Sequence, residues 1–462
     1  MLPPRTLLLQ AAFLIGLAHL LVLPPWQGED EPWHVEYATL VARGHSPIGV
    51  DDLDPAETQA AAARGDLSVL MVARRFGQVP VAELRAVETE ILESMRRHHF
   101  SRRVDWSGEL TGATTFDAVA RGFSAVHQPP PHYLLVGTLA RWLGRTDAEG
   151  VLWTGRGVAV VSYLLMIAMA LSTARALGLS PEAALLAGAV LTLWPMHARH
   201  AAVVNNDVMA KLLSSGALWL GALGLGGRLP ARTALLAAST LAFAAAAAKS
   251  TGLPAAGAVV SVLALLRLSP RRRDLAEGHR PRLPWAAAVG VATIALAFLI
   301  LVWADHAPVL PGSLQGVTDR LARAAAPSFW SHLATTFVGS WAWESRHAGA
   351  GVTLAALGGW ALAARLGWRG LARGRVRGAR LLIVVPLVAQ VVAVALRGAS
   401  AGRYLFPAIL AFALLAGAAV DGVEGSERRR QVRLGLTTGL VALFAWCLWT
   451  GLIPAQHGRL GA

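Results

Sequence analysis

The chain has 462 residues, 55% of them hydrophobic and only 15% charged, with a formal net charge of +14. Its mean hydropathy is positive, which excludes an ordinary soluble globular domain. The arginine runs that carry the charge, such as Arg271-Arg272-Arg273 and Arg428-Arg429-Arg430, lie between long apolar stretches. That placement fits membrane loops and excludes a nucleic-acid-binding face.

Taken in chain order, Arg5 is followed by an apolar run to Leu23, with no small-residue cleavage site before Pro24-Pro25-Trp26, and the run is expected to be a retained first helix. Further apolar stretches near residues 151–174, 182–198, 208–226, 233–248, 252–267, 285–303, 351–367, 381–397, 404–422 and 434–453 approach the roughly 20 residues that a span requires. The expected fold is an all-α polytopic membrane protein with about eleven transmembrane helices. With a cytoplasmic N-terminus, alternation places Arg175 and residues 228–232, 267–282, 365–380 and 428–433 inside, as the positive-inside rule requires. The opposite side then receives residues 26–150, the Asn205-Asn206-Asp207 turn, Lys249-Ser250, residues 304–350 and the 397–403 turn.

This divides the chain into a first transmembrane helix (1–25), an extracytoplasmic loop with interfacial helices and an acidic motif (26–150), a transmembrane core (151–303), a second extracytoplasmic loop (304–350) and C-terminal transmembrane helices (351–462). The apolar segment from His132 to Gly144 is only about a dozen residues long and contains Arg141. Counting it as a span would turn every later arginine loop outward, so it is expected as a short helix at the outer interface. Trp26, Trp194, Trp303, Trp330, Trp341 and Trp343 fall at outer helix ends, where an aromatic belt is expected. Between Val79 and Phe100, the positions Val81, Leu84, Val87, Ile91, Leu92 and Met95 share one helical face, suited either to the membrane interface or to a small cap. A single cysteine, Cys447, rules out an intrachain disulfide and thiol-rich metal sites.

The densest chemistry follows the first helix, in Gly28-Glu29-Asp30-Glu31-Pro32-Trp33-His34-Val35-Glu36-Tyr37. Pro32 favours a helix start with Asp30 at its cap and Trp33 at the interface, which holds a carboxylate beside lipid headgroups. Asn205-Asn206-Asp207 precedes another helix. A cap accounts for one of these residues, and an ionisable Asp207 at a bundle mouth is a functional candidate. Lys249 and Arg403 stand at outer helix ends, where a cation either snorkels or binds a phosphate leaving group. In His127-Gln128-Pro129-Pro130-Pro131-His132-Tyr133 the prolines open a helix, which does not account for the flanking histidines and Gln128. A divalent metal held with Glu31 or His34 has no recognised ligand spacing behind it.

These motifs resemble, in order and spacing, the C-type glycosyltransferase superfamily, and most of all the bacterial relatives of protein O-mannosyltransferases and of the lipid A aminoarabinose transferase. The likeness runs from Glu29 to about Pro254, with a looser match at Gly402 to Pro407. It implies a polyprenyl-phosphate sugar donor, an active site on the outer face of a bacterial inner membrane, and a catalytic carboxylate in the first outer loop. By position that carboxylate is Asp30 with Glu31 beside it, while Asp207 matches the second outer-loop acid and Lys249 a basic residue found near the donor phosphate in some members. Arg403 is a second phosphate candidate, and His34, His127, Gln128, His132, Tyr133 and Asn206 are substrate-binding candidates. Gln128 stands where the aminoarabinose transferase pattern often has a lysine before the prolines, which leaves the donor sugar open. The expected partners are the lipid-linked donor, membrane lipids and an acceptor hydroxyl of unassigned class, with no nucleic acid and no certain cofactor. A transporter or lipid flippase would instead place its site near the bilayer midplane, where the predicted helices are nearly free of charge.

Overall fold

The computed structural model describes residues 3–28, 30–47, 60, 67–77, 79–98, 125–268, 320, 322–341, 346–374, 376, 378–398 and 400–452. In chain order the helices are α1 (Pro4–Val22), α2 (Glu31–Ala42), α3 (Leu67–Phe76), α4 (Val81–Arg97), α5 (Pro131–Trp142), α6 (Ala148–Ala176), α7 (Pro181–Leu193), α8 (Asp207–Leu225), α9 (Ala231–Ala248) and α10 (Leu253–Leu268). They continue with α11 (Pro327–Val338), α12 (Ala350–Arg373), α13 (Ala379–Arg397), α14 (Ile409–Gly417) and α15 (Ser426–Cys447). The strands among the described residues are a two-residue antiparallel pair, Ser340–Trp341 with Arg346–His347.

Among the described residues 7 helices are long and apolar enough to cross a membrane, namely α1, α6, α8, α9, α12, α13 and α15. Shorter apolar helices at Pro181–Leu193, Ser250–Leu266 and Gly402–Gly417 occupy further expected spans. The expected span at 285–303, Arg271-Arg272-Arg273, Trp303 and Trp343 lie outside the described residues. α5 has 12 residues, about 18 Å of helix, too short to span. Local signals set several boundaries: the Asp147 side chain accepts from the Gly150 N–H at 2.8 Å to cap α6, and Ser180 caps α7 with Pro181 in its first turn. α12 lies backbone against backbone on the α14 segment. A Cβ at Gly367 would come within 1.8 Å of the Leu415 carbonyl oxygen, so only glycine allows the approach.

Among the described residues the buried side chains form a large hydrophobic core within the helix bundle, a second beneath a cap formed by α2, α3, α4 and α5, and a small third of Phe329, Leu333 and Val394. Leu84, Val87, Ile91, Leu92 and Met95 of α4 are buried, turned onto α2 and α6, whereas Val81 is exposed and leaves the expected apolar face. Two tryptophans expected in the interfacial belt belong to these cores instead. Trp26 is fully buried and its indole N–H donates to Ser94 Oγ at 3.0 Å, and the Ser94 hydroxyl donates to Glu149 at 2.9 Å. Trp194 donates to the Phe337 carbonyl at 2.8 Å and packs edge-on to Phe412. An indole with a buried acceptor gains more from packing than from an interface.

The expectation that helix interiors carry almost no charge is corrected at Arg156, on the third turn of α6 and fully buried. Its guanidinium holds Glu31 through two bonds, Nε to Oε1 at 2.9 Å and a terminal nitrogen to Oε2 at 2.7 Å. It also donates to the carbonyls of Leu23 and Pro24. Glu31 in turn accepts from the backbone N–H groups of Gly28 and Val204, at 3.0 and 3.1 Å. Removing one member of such a pair strands a buried charge, at a typical cost of about 3–5 kcal/mol. Arg156→Ala is therefore expected to lower the thermal unfolding midpoint in detergent strongly and Glu31→Gln less so; an unchanged midpoint in Arg156→Ala would refute this structural role.

Candidate active site

The turn between α1 and α2 is strained. Trp26 and Asp30 both adopt the left-handed region, with φ of 71° and 61°, a conformation rare outside glycine. Trp26 is held there by its burial and its bond to Ser94, and Glu31 by Arg156, so the intervening segment has little freedom. Asp30 occupies the N-cap position of α2, but its side chain makes no cap bond. It turns instead to Arg403, whose guanidinium lies 2.9 Å from Asp30 Oδ2 and 4.0 Å from Asp207 Oδ2.

Asp207 opens α8, its backbone N–H held by Asn205 Oδ1 at 2.9 Å, so Asn205 supplies the local turn bond and frees the Asp207 carboxylate. That carboxylate pairs with Lys249 Nζ at 2.8 Å. Lys249 and Arg403 also lie over the Tyr404 ring, each 5.5 Å from its centroid. Asn206 donates to Gln128 Oε1 at 3.1 Å, which ties the α8 entry to the proline-rich entry of α5. His34 Nδ1 is 2.7 Å from the Tyr133 hydroxyl, and Tyr133 stacks on Tyr37 with centroids 4.0 Å apart.

Around these residues lies a cleft of roughly 350 Å³, lined by Asp30, Trp33, His34, Ala125, Gln128, Lys249, Arg397, Arg403 and Tyr404. Asp30, His34, Gln128, Lys249 and Arg403 are thus gathered on one cavity from four separate stretches of sequence. Asp207 sits just behind it; its side chain is 2% exposed against 35% for Asp30, so Asp30 is the carboxylate that an incoming molecule meets. Tyr133 and His132 are buried beneath the wall. Burial pushes the Tyr133 phenol well above its ordinary range, so it stays a neutral partner for His34.

Glu31, expected beside Asp30 as a catalytic group, does not line the cleft. Its two oxygens are spent on Arg156 and two backbone amides at full burial, which makes it a structural anchor. Glu29 and the side chain of His127 lie outside the described residues. Among the described residues no three or more His, Cys, Asp or Glu converge as a metal site would require. Sequence reasoning passed over three cleft residues: Arg397, whose guanidinium bonds Ser250 Oγ at 2.9 Å, Tyr404 and Trp33 as a wall rather than an anchor. Arg397 carried a usable signal, a cation at the end of an apolar helix on the same face as Lys249. Lys211, one turn after Asp207 on α8, was also missed; it is buried with Nζ 5.6 Å from the Phe406 centroid.

The chain is similar in structure to two forms of ArnT from Cupriavidus metallidurans. One, bound to undecaprenyl phosphate, superposes with a TM-score of 0.48 at 16% identity, covering 98% of this chain and 73% of that one. The other, in the apo state, gives a TM-score of 0.49 at 15% identity over 98% of this chain and 76% of that one. No protein-family model matches the chain, and no curated protein matches it.

Burial lowers the His132 pKa to about 4, with Asp207 opposing the shift and Lys249 adding to it. The unfolded chain therefore binds more protons than the folded one between pH 6.5 and 4, and stability is lost as pH falls through that window. At pH 5 the loss from this histidine is about 2 kcal/mol. Thermal unfolding of wild type and His132→Gln at pH 7 and pH 5 is expected to show a smaller acid-induced drop in the variant.

Proposed function

We propose that the chain is a C-type glycosyltransferase that moves a sugar from a polyprenyl-phosphate donor to an acceptor hydroxyl at the extracytoplasmic face of a multi-pass bacterial membrane protein. The observation that carries this reading is the cleft in which one accessible carboxylate, Asp30, faces three cations, Lys249, Arg397 and Arg403, at one end of an apolar bundle. A site so placed meets a lipid headgroup without extracting its tail from the bilayer.

In this reading the donor phosphate sits against Lys249 and Arg397 and competes with Asp30 for Arg403. Release from Arg403 leaves Asp30 to accept the proton of the acceptor hydroxyl as that oxygen attacks the anomeric carbon. The bond between the anomeric carbon and the phosphate oxygen breaks, and the lipid phosphate departs with its added negative charge held by the cations. Direct displacement of this kind inverts the anomeric centre. Asp207 orients Lys249 and Arg403 from behind, and Tyr133 orients His34 on the cleft wall.

Positioned base catalysis is typically worth ~100 to 10,000-fold, and loss of one electrostatic stabiliser costs roughly 3 kcal/mol. In liposomes supplied with radiolabelled polyprenyl-phosphate sugars, Asp30→Asn is expected to reduce transfer or donor hydrolysis by at least about a hundredfold at unchanged folding. Lys249→Ala is expected to lose about a hundredfold. Wild-type rates in both variants would overturn this site assignment, and protein-dependent movement of labelled lipid across the bilayer with no sugar release would replace this function by a transport one.

A further inference from the structure

We infer that the end of the bundle opposite the cleft carries a binding site for an anionic phospholipid, its headgroup between α7 and α15 and one acyl chain along the groove above. This inference does not depend on what the cleft does. A pocket of roughly 280 Å³ lies where α7 begins and α15 begins, and Arg429, Arg430 and Arg433 line it together with Ser180 and Glu182. Three guanidiniums and one carboxylate line it, and the Asp421 carboxylate beside it accepts from the Ser180 N–H at 2.9 Å, which leaves the pocket net cationic. Local bonds account for only part of this charge: Arg429 Nε donates to the Val423 carbonyl at 2.9 Å and Arg430 is 3.9 Å from Glu427. Phosphodiester oxygens match the guanidinium fork.

The same helices carry a second cavity, of roughly 460 Å³, whose walls include Leu186, Val190, Trp360, Gly439 and Leu440. The linings of the two cavities adjoin along the same elements. Glu182 of the first and Leu186 of the second are one turn apart on α7, Ala416 of α14 lies four residues before Val420, and Arg433 and Leu436 are neighbours on the face of α15. From Arg433 to Trp446 this face runs about 20 Å, enough for a chain descending through one leaflet of about 15 Å. Gly435, Gly439 and Gly359 leave open space where side chains would fill the groove. A headgroup pocket that continues into an apolar channel distinguishes a phospholipid from free phosphate, and basic pockets between helices near the cytoplasmic surface are a recurring lipid-binding device. In the expected orientation this is the cytoplasmic leaflet.

The test is native mass spectrometry of the full chain released from nanodiscs of equimolar phosphatidylglycerol and phosphatidylcholine. Wild type is expected to retain phosphatidylglycerol selectively, and the combined R429A/R430A/R433A variant to bind it about a hundredfold more weakly, each arginine contributing roughly fivefold. Gly439→Leu, which narrows the groove and leaves the arginines in place, is expected to weaken retention of the full phospholipid while sparing a short-chain analogue. Asp30→Asn is expected to bind as wild type. Equal retention of both lipids, unchanged binding in the arginine variant, displacement of phosphatidylglycerol by undecaprenyl phosphate, or a lipid-free dimer through α15 would each overturn the inference.

Discussion

The buried Glu31–Arg156 pair is the interaction on which the rest of the molecule is hung. Two charges withdrawn from water are tolerated only when every oxygen and N–H is matched, and here the matching groups come from the end of α1, the turn before α2, the interior of α6 and the segment before α8. The pair therefore does more than join two side chains. It fixes where the first helix leaves the bundle and how the chain turns into α2, and it makes the left-handed backbone at Asp30 affordable. Adjacent carboxylates consequently have opposite fates, Glu31 sealed inside and Asp30 presented to the cavity.

The cavity itself is an exercise in charge compensation. Lys249, Arg397 and Arg403 outnumber Asp30 and Asp207, so the site is held together by ion pairs yet retains a surplus of positive charge for an anionic guest. Low surrounding polarity makes each of those interactions stronger than in bulk water, and their donors are already aimed before anything binds. Rigidity comes from the cap: Tyr37, Tyr133 and His34 stack, and the Trp26, Ser94 and Glu149 chain braces the turn from the other side.

Much of this was legible in the linear chain. Apolar runs separated by arginines gave the helices, because burial in lipid is dictated by composition over some twenty residues and needs no partner. Asp30, His34, Gln128, Lys249 and Arg403 could be picked out as polar groups at helix ends, and the structure brings them to one cavity. What stayed hidden were choices made by long-range contacts. The cap position singled out Asp30 but left Glu31 as a second catalytic candidate, and only the approach of Arg156 from 125 positions away removes it from the cavity. Trp26 and Trp194 look like interfacial anchors until a hydroxyl and a carbonyl are found inside the protein to accept their N–H groups. Arg156 itself, an ionisable residue within an apolar span, was the signal to follow.

The contact between Asp30 and Arg403 joins residues 373 positions apart. At ordinary ribosomal speeds of about 5–20 residues per second, the first carboxylate is made roughly 20 to 75 s before the guanidinium that completes its cavity. Throughout that interval the nascent bundle has its early helices and its acidic turn but no closed cleft. The site comes into being as a late event of biogenesis, and a closed cleft is in effect a report that the helices before Arg403 have found their places.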